Sequence, residues 1–194
     1  MSDEHRPDAM GCAGHPHVHT PNLDALAASG TRYTNAYCPS PLCAPCRASV
    51  TTGRYVHEIG AWDNAASYDG DPPSWGTTFA DEGIHAATVG KLDFQPGTEA
   101  FAEQVAPGYR TTPDVNGLHR DPPTVRDDAR SRITSAGPSA EPAGPEPGDI
   151  ERTDHALEWL ERHRQEDGWV LWLNLSSPHF PLVSQHYDRY NDVD

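Results

Sequence analysis

The stretch Pro41-Leu-Cys-Ala-Pro-Cys-Arg-Ala-Ser-Val-Thr-Thr-Gly-Arg-Tyr55 has the features of a short helix with a defined beginning and end. Pro45 is compatible only with a first helical turn, because proline lacks the N–H group and has a fixed φ. Gly53 suits the left-handed position that follows a helix end. The pattern therefore predicts a helix of about 9 residues that begins near Ala44, with Cys43 at its positive end.

The start of this predicted helix is suited to an anion. Unpaired N–H groups and the helix macrodipole favour negative charge there and lower the pKa of a thiol among them. Arg47 lies one turn after Cys43, and helical side chains point back toward the N-terminus. The Arg47 guanidinium can therefore reach the same position, and we expect a tetrahedral oxyanion as the ligand.

At these residues the sequence resembles the sulfatase family. The family signature Cys-x-Pro-x-Arg, followed by Thr-Gly-Arg, is met by Cys43, Pro45, Arg47 and Thr52-Gly53-Arg54. In that family a maturation enzyme oxidises the cysteine to formylglycine, whose hydrated aldehyde is the nucleophile, so the resemblance implies this role for Cys43. The segments 41–45 and 55–66 look most like choline sulfatases and related bacterial enzymes. The implied fold is α/β and alkaline-phosphatase-like, with a mixed sheet flanked by helices.

Composition bounds the remaining possibilities. The 194 residues are enough for one domain with a buried core, and 19 Pro and 16 Gly indicate extensive loops. A net charge of −15 without a basic run opposes binding to nucleic acid or to anionic lipid. No apolar run is long enough to span a membrane, and Met1 does not open a signal peptide. The sequence as given predicts a cytoplasmic chain without nucleic-acid or membrane partners.

The four cysteines allow a rival interpretation. The spacing Cys38-x4-Cys43-x2-Cys46 is that of a plant-type iron–sulfur ligand run. Such a run needs a fourth cysteine downstream, whereas the remaining one, Cys12, lies upstream, so the cluster is disfavoured. A Cys12–Cys38 disulfide and free thiols both stay open, and apart from Cys43 the cysteines are assigned to packing.

Several further elements follow from periodicity and from helix and strand end signals. Upstream, Thr20–Gly30 predicts a helix with Leu23, Leu26 and Ala27 on its buried face, and 31–37 predicts a strand that leads to Cys43. Downstream, the predicted elements are a helix over 77–83, a strand over 85–90, a helix over 149–164 and a buried parallel strand over 168–176. The 149–164 pattern places Ile150, Ala156, Leu157 and Leu160 toward the core and His155 and His163 at the surface. Residues 95–149, rich in Pro and Gly, predict an excursion over the surface of a single domain, 1–194.

Lys91 follows the predicted strand at its carboxyl end, where open α/β sheets place their sites. The family pattern Gly-Lys-x-His is here Gly90-Lys91-Leu92-Asp93. The resemblance implies that Lys91 binds a sulfate oxygen. Asp93 replaces the family histidine, and its charge would repel sulfate unless it is protonated or paired.

The resemblance assigns the other candidate site residues. His179, in Ser177-Pro-His-Phe-Pro181, matches a catalytic histidine that contacts the sulfate or the leaving oxygen. Asn64 falls where choline-sulfatase-like enzymes contact the substrate. Asp3 and Glu4 match the paired acids that, together with the oxidised Cys43, bind a divalent cation, with Ca²⁺ preferred and Mg²⁺ as the alternative.

The sequence is thus interpreted as the N-terminal part of a sulfatase that hydrolyses a small-molecule sulfate ester through formylglycine. Two alternatives stay open: a phosphonate or phosphate monoester hydrolase of the same superfamily, and a catalytically inactive fragment. Only Met1 and Ser2 stand before Asp3 where the family has an apolar strand. That difference predicts an exposed sheet edge and association into a homo-oligomer.

Overall fold

A computed structural model describes residues 1–109 and 135–190. The helices are α1 (Pro21–Ser29), α2 (Cys43–Thr52), α3 (Val56–Ile59), α4 (Trp75–Asp81) and α5 (Glu146–His163), with 3₁₀ turns at Gly11–Ala13 and Tyr187–Tyr190. The strands are β1 (His85–Lys91), β2 (Glu103–Gly108), β3 (Ala136–Pro138), β4 (Trp169–Asn174) and β5 (Leu182–Ser184). None of the helices in this part of the chain combines the length and apolar character needed to cross a bilayer.

The main sheet is parallel, with strand order β2-β1-β4. Ala87 of β1 lies opposite Glu103 of β2 and Leu171 of β4, and Gly90 lies opposite Asn174. All three strands therefore end at the same sheet edge, which is where open α/β folds place their sites. A second parallel pair joins β3 to β5. The predicted α/β class and the predicted strands at 85–90 and 168–176 are confirmed.

Two layers of helix cover the sheet. Ala86 belongs to a core cluster with residues of α2 and of the segments around α4, namely Ala48, Ala61, Tyr68, Leu92, Phe94, Ala100 and Phe101. The neighbouring His85 stacks instead on Trp159 of α5. Because successive side chains of a strand point to opposite faces, α5 packs on the face opposite the Ala86 cluster.

Two predictions about the elements before Cys43 are wrong in detail. The segment 31–37 is not a strand: it is exposed, with Tyr37 90% accessible, and it has no ladder partner among the described residues. β-Branched and aromatic residues favour a strand only where neighbours cover them. Helix α1 forms as predicted, but Leu23 and Leu26 are exposed, because α1 contacts the turn at 11–13, where Asp24 accepts from the Cys12 N–H.

The buried face of α5 also differs from the prediction. Ile150 and Leu157 are exposed, whereas Trp159 is completely buried. The residues directed to the sheet and to the end of β4 recur at spacings of three and four, as one helix face requires: Asp149, Arg152, Ala156, Trp159 and His163. Two of them are charged, so hydrophobicity alone indicated a face about one residue away.

The predicted surface excursion at 95–149 contains a strand of the main sheet, β2, that the sequence did not reveal. Strand β2 carries Pro107 and polar residues, and it lies at the edge of the sheet, where proline is tolerated. Residues 110–134, the centre of the predicted excursion, and residues 191–194 lie outside the described part of the chain. The single-domain assignment stays a prediction.

Candidate active site

Helix α2 places Cys43 at the sheet edge where β1 and β4 end. The helix begins at Cys43, and Gly53 ends it at φ 68° with its N–H donating to the Ser49 carbonyl. Both predicted end signals are therefore confirmed. The Asn64 side-chain oxygen accepts from the Ala44 N–H at 3.0 Å and so satisfies one of the donors at the helix start. Asn64 is thus brought beside Cys43, and its contact with substrate stays a prediction.

Arg47 ties α2 to both neighbouring strand ends. Its side chain is 1% accessible, and Nη1 donates to the Lys91 carbonyl at 2.6 Å and to Asn174 Oδ1 at 3.0 Å. Nε lies 3.5 Å from Asp93 Oδ2, and Nη2 lies 3.8 Å from Asp3 Oδ2. Neither of these two nitrogens makes a hydrogen bond within the described residues. The guanidinium is therefore part of the core as well as of the site.

Lys91 lies between two carboxylates and the Cys43 thiol. Its ammonium donates to the Asp3 carboxylate, and it lies 3.6 Å from Asp93 Oδ2 and 3.6 Å from Cys43 Sγ. Burial alone would lower the pKa of Lys91, but Asp93 and the hydrogen bond to Asp3 outweigh burial and raise that pKa. Lys91 is thus a cation, and Asp93 is paired with Lys91 and Arg47, which removes the repulsion expected from an isolated carboxylate.

Asp3, Cys43 and His179 form a possible metal-binding group. One ligand atom from each residue lies within 4.8 Å of the others. The Asp3 N–H donates to the Ser177 carbonyl at 3.1 Å, which fixes Asp3 beside the loop that carries His179. Glu4 Oε1 lies 3.5 Å from His179 Nε2, but Glu4 is half-exposed and outside this group. The structure therefore brings together Asp3 and Cys43, and not the predicted acid pair with Cys43.

The donor atoms decide which cation fits the group. A thiol sulfur and an imidazole nitrogen suit a softer ion, whereas calcium takes oxygen ligands. Asp3 supplies carboxylate oxygens close to Cys43, each 3.9 Å from Sγ. Of the three residues only Asp3 supplies oxygen ligands, so a hard cation would be held by Asp3 and by an oxygen in place of the Cys43 sulfur, and not by the His179 imidazole.

The remaining cysteines do not form a metal site in the structure. Cys12 and Cys38 are not bridged. Among the groups of ligand atoms that lie within 4.8 Å of one another in the described ranges, Cys43 is grouped with Asp3 and His179, and neither Cys38 nor Cys46 belongs to any group. Burial raises the pKa of the Cys46 thiol, as expected for a packing residue. The geometry gives no support to an iron–sulfur cluster.

Two residues important to the site were missed from sequence. Asn174 is completely buried at the end of β4, where its Oδ1 accepts from Arg47 and its Nδ2 donates to the Trp172 carbonyl. Asp149 of α5 accepts from the N–H groups of Ser176 and Ser177, at 2.7 and 2.6 Å, just before His179. A polar residue that closes an apolar parallel strand is the signal that could have identified Asn174.

We expect Asp149 to make stability depend on pH. Burial raises the pKa of Asp149, but hydrogen bonds from Ser176, Ser177 and Arg152 outweigh burial and hold that pKa below its ordinary value of 3.8. The lowered pKa stabilises the folded chain above pH 3.8, and this contribution is lost as pH falls through the folded-state pKa. Asp149→Asn should lower the free energy of unfolding at pH 7 by about 1–3 kcal/mol and flatten its acid dependence, measured by urea unfolding at several pH values.

The exposed Asp154 of the same helix provides the matched control. Asp154→Asn should leave the acid dependence of the unfolding free energy unchanged. An equal pH slope for the wild-type chain and Asp149→Asn would contradict the assignment.

Comparison with known proteins agrees with this geometry. The sulfatase family model matches residues 1–194. The chain is 30% identical to arylsulfatase K of Canis lupus familiaris over 164 residues, which is 84% of this chain and 29% of that protein. It is 37% identical to N-acetylglucosamine-6-O-sulfatase of Bacteroides thetaiotaomicron over 91 residues, which is 47% of this chain and 16% of that protein. The chain therefore spans less than a third of the length of these two relatives.

Solved structures share the fold of this chain. Phosphonate monoester hydrolase SpPMH from Silicibacter pomeroyi superposes with a TM-score of 0.68 at 22% identity, covering 98% of this chain and 44% of that chain. A protein in complex with its substrate, D-glucosamine-2-N,6-O-disulfate, superposes with a TM-score of 0.66 at 24% identity, covering 92% of this chain and 33% of that chain. At these identities the likeness establishes the fold.

Proposed function

The chain belongs to the sulfatase family, and from that premise we propose that it carries the nucleophile and the anion-binding groups of a sulfuric ester hydrolase. The observation that carries the proposal is the surroundings of Cys43. Its thiol lies at the start of α2, 3.6 Å from the Lys91 ammonium and 3.9 Å from the Asp3 carboxylate. An ammonium and the positive end of a helix beside one nucleophilic position are suited to stabilising an oxyanion that forms during the reaction.

The residues around this position have distinct roles. Formylglycine at position 43, made from the cysteine by a maturation enzyme, would supply a hydroxyl nucleophile for attack at sulfur. The Lys91 ammonium and the positive end of the α2 macrodipole offset charge on the sulfuryl oxygens. Arg47 contributes its charge from beneath the site, through Asp3 and Asp93.

His179 holds or moves the proton at the ester oxygen. Its Nδ1 lies 2.6 Å from the Phe180 carbonyl and donates to it, so Nε2 is the atom directed to the site. Glu4 Oε1 lies 3.5 Å from this Nε2 atom. An imidazole is the side chain best suited to proton transfer near neutral pH.

Charge balance supports a divalent cation at Asp3. The carboxylates of Asp3 and Asp93 cancel the charges of Arg47 and Lys91. A dication would then be neutralised by a sulfate monoester and an ionised nucleophile. Calcium would be held by Asp3 and an oxygen at position 43, with Glu4 as a further candidate and magnesium as the alternative, and would supply Lewis-acid charge.

The substrate class is a small sulfate ester. The two relatives are named for aryl and N-acetylglucosamine sulfates, and Asn64, beside the start of α2, is the candidate contact to the organic half. The likeness of 55–66 to choline sulfatases stays a prediction. A phosphonate monoester hydrolase is the second candidate, because SpPMH shares the fold over 98% of this chain.

We expect Cys43 to be converted when the chain is produced together with a formylglycine-generating enzyme. Peptide mass spectrometry should show the replacement of CH₂–SH by CHO at Cys43, with Cys38 and Cys46 intact. The converted protein with added calcium should release phenol from an aryl sulfate faster than from an aryl phosphonate.

Two variants serve as controls for this test. Cys43→Ala should lose conversion and all turnover, whereas Cys46→Ala should keep conversion. An unmodified Cys43 under conditions that convert a control sulfatase would refute the proposed nucleophile. Preferential turnover of the phosphonate would select the second candidate.

A further inference from the structure

A second group of possible metal ligands lies at the opposite end of the sheet from Cys43. His85 begins β1, Glu103 begins β2 and His163 ends α5. His85 and Lys91 are the first and last of the seven residues of β1, and the strand rise of about 3.3 Å per residue places them about 20 Å apart. This cluster is therefore independent of the proposed sulfatase site.

The three side chains converge on one point. One ligand atom of each lies within 4.8 Å of the others. His85 Nε2 lies 3.2 Å from Glu103 Oε2, and the rings of His85 and His163 are nearly parallel, with centroids 5.9 Å apart. Two imidazoles and a carboxylate are the donor set of many three-residue zinc sites.

Trp159 orients two of the three ligands. Its ring is completely buried and stacks on His163 at 3.9 Å, and its indole N–H donates to Glu103 Oε2 at 2.8 Å. His163 Nδ1 lies 2.8 Å from the Trp159 carbonyl and donates to it, so the Nε2 lone pair is left for a ligand. Hydrogen bonds of this kind, from the far side of a ligating histidine, fix its tautomer and ring orientation in metal sites.

The arrangement contains more than an ion pair requires. An ion pair between His85 and Glu103 would not require His163 nearby. It would also not require the His163 tautomer that is fixed by the hydrogen bond to the Trp159 carbonyl. The neighbouring cation is Arg162, whose Nη2 lies 3.8 Å from Glu103 Oε1. Arg162 is 60% exposed and can turn into solvent when a metal ion occupies the carboxylate.

We propose that His85, Glu103 and His163 bind a divalent transition-metal ion of the zinc class, with solvent in the fourth position. Imidazole ligands favour zinc over calcium or magnesium. The bound ion joins the end of α5 to the beginnings of β1 and β2, which already pair with each other as parallel strands. Its effect is to stabilise this end of the sheet.

The test is a zinc titration of the full chain, followed by calorimetry and thermal unfolding. Wild-type protein should bind zinc and melt at a higher temperature as zinc is added. His163→Phe keeps an aromatic ring on Trp159 and removes the ligand. The zinc affinity of this site should be lower in His163→Phe than in the wild type. The decrease should exceed the roughly 10–100-fold loss that follows removal of an outer hydrogen-bond partner. His155→Phe, on the same helix, is the matched control and should bind as the wild type does.

Cobalt and NMR separate this site from the cysteine-containing group at Asp3. Cobalt bound by His85, Glu103 and His163 should give visible d–d bands without a thiolate charge-transfer band, and zinc should shift the imidazole nitrogen resonances of His85 and His163 in the wild-type chain. The NMR result holds even where a variant fails to fold. Unshifted His85 and His163 resonances at saturating zinc, or zinc binding that Cys43→Ser abolishes, would overturn the proposal.

Discussion

Replacing Arg47 by alanine should lower the free energy of unfolding by about 3–5 kcal/mol, the range seen when one partner of a buried ion pair is removed. The substitution would leave Asp3 and Asp93 buried without the guanidinium that lies 3.8 and 3.5 Å away. It would also remove the hydrogen bonds to the Lys91 carbonyl and to Asn174. Chemical unfolding monitored by tryptophan fluorescence measures the loss.

Two further variants make this result specific. Arg47→Lys retains the charge but cannot span Asp93, Asn174 and Asp3 with one planar group, so we expect an intermediate loss of stability. Arg54→Ala, on the exposed side of the end of α2, should change stability by less than about 0.5 kcal/mol. If the unfolding free energy of Arg47→Ala lies within about 1 kcal/mol of the wild-type value, the burial of the Asp3 and Asp93 carboxylates does not depend on the Arg47 guanidinium.

The burial of Arg47 changes how its chemical role can be tested. The sequence predicted an arginine lying over the start of α2 and facing an anion. In the structure the same residue also joins the ends of β1 and β4, so a variant that lacks the charge alters fold and site together. Sulfate affinity should therefore be compared between the wild-type chain and Arg47→Lys, at temperatures where both are folded.

Local signals account for the parts of the fold that the sequence predicted well. Pro45 and Gly53 fix the ends of α2 through backbone geometry, and the continuous apolar run at 168–176 identifies β4, whose residues 169–173 are partly buried. Such signals lie within one segment. The prediction that Lys91 follows the carboxyl end of a parallel strand was then sufficient to place it at the same sheet edge as Cys43 and Arg47.

The features that the sequence missed depend on contacts between distant segments. Asp149 and Arg152 lie on the inner face of α5 because they form hydrogen bonds with Ser176 and Ser177. A pattern of hydrophobic residues does not indicate such hydrogen bonds. Strand β2 is recognisable only from its ladder with β1. The group at His85 was missed for the same reason, since its members come from three elements far apart in the chain.

Gly90 should be the glycine whose replacement damages the site most. It has φ 89°, and an added Cβ would overlap the carbonyl oxygen of Asn174 and approach Arg152 Cδ to 2.7 Å. Arg152 is flexible, but the strand backbone at Asn174 is held by its ladder with β1. Gly90→Ala should therefore lower the free energy of unfolding by about 2–5 kcal/mol, from backbone strain and overpacking together.

Gly83 separates these two causes. It has a similar φ of 74°, but nothing lies within 4 Å of the Cβ position, so Gly83→Ala should cost only the left-handed strain of about 1–2 kcal/mol. The larger loss of unfolding free energy at Gly90 reflects the close approach of β1 to β4. This approach lies directly before Lys91 and beside Asn174, whose side chain accepts a hydrogen bond from Arg47. Relief of that overlap requires the two strand ends to separate, so Gly90→Ala should also weaken sulfate binding, whereas Gly83→Ala should leave it unchanged. Equal unfolding free energies for the two variants would show that the strands can separate at this edge without cost, and that the close approach does not hold Lys91 in place.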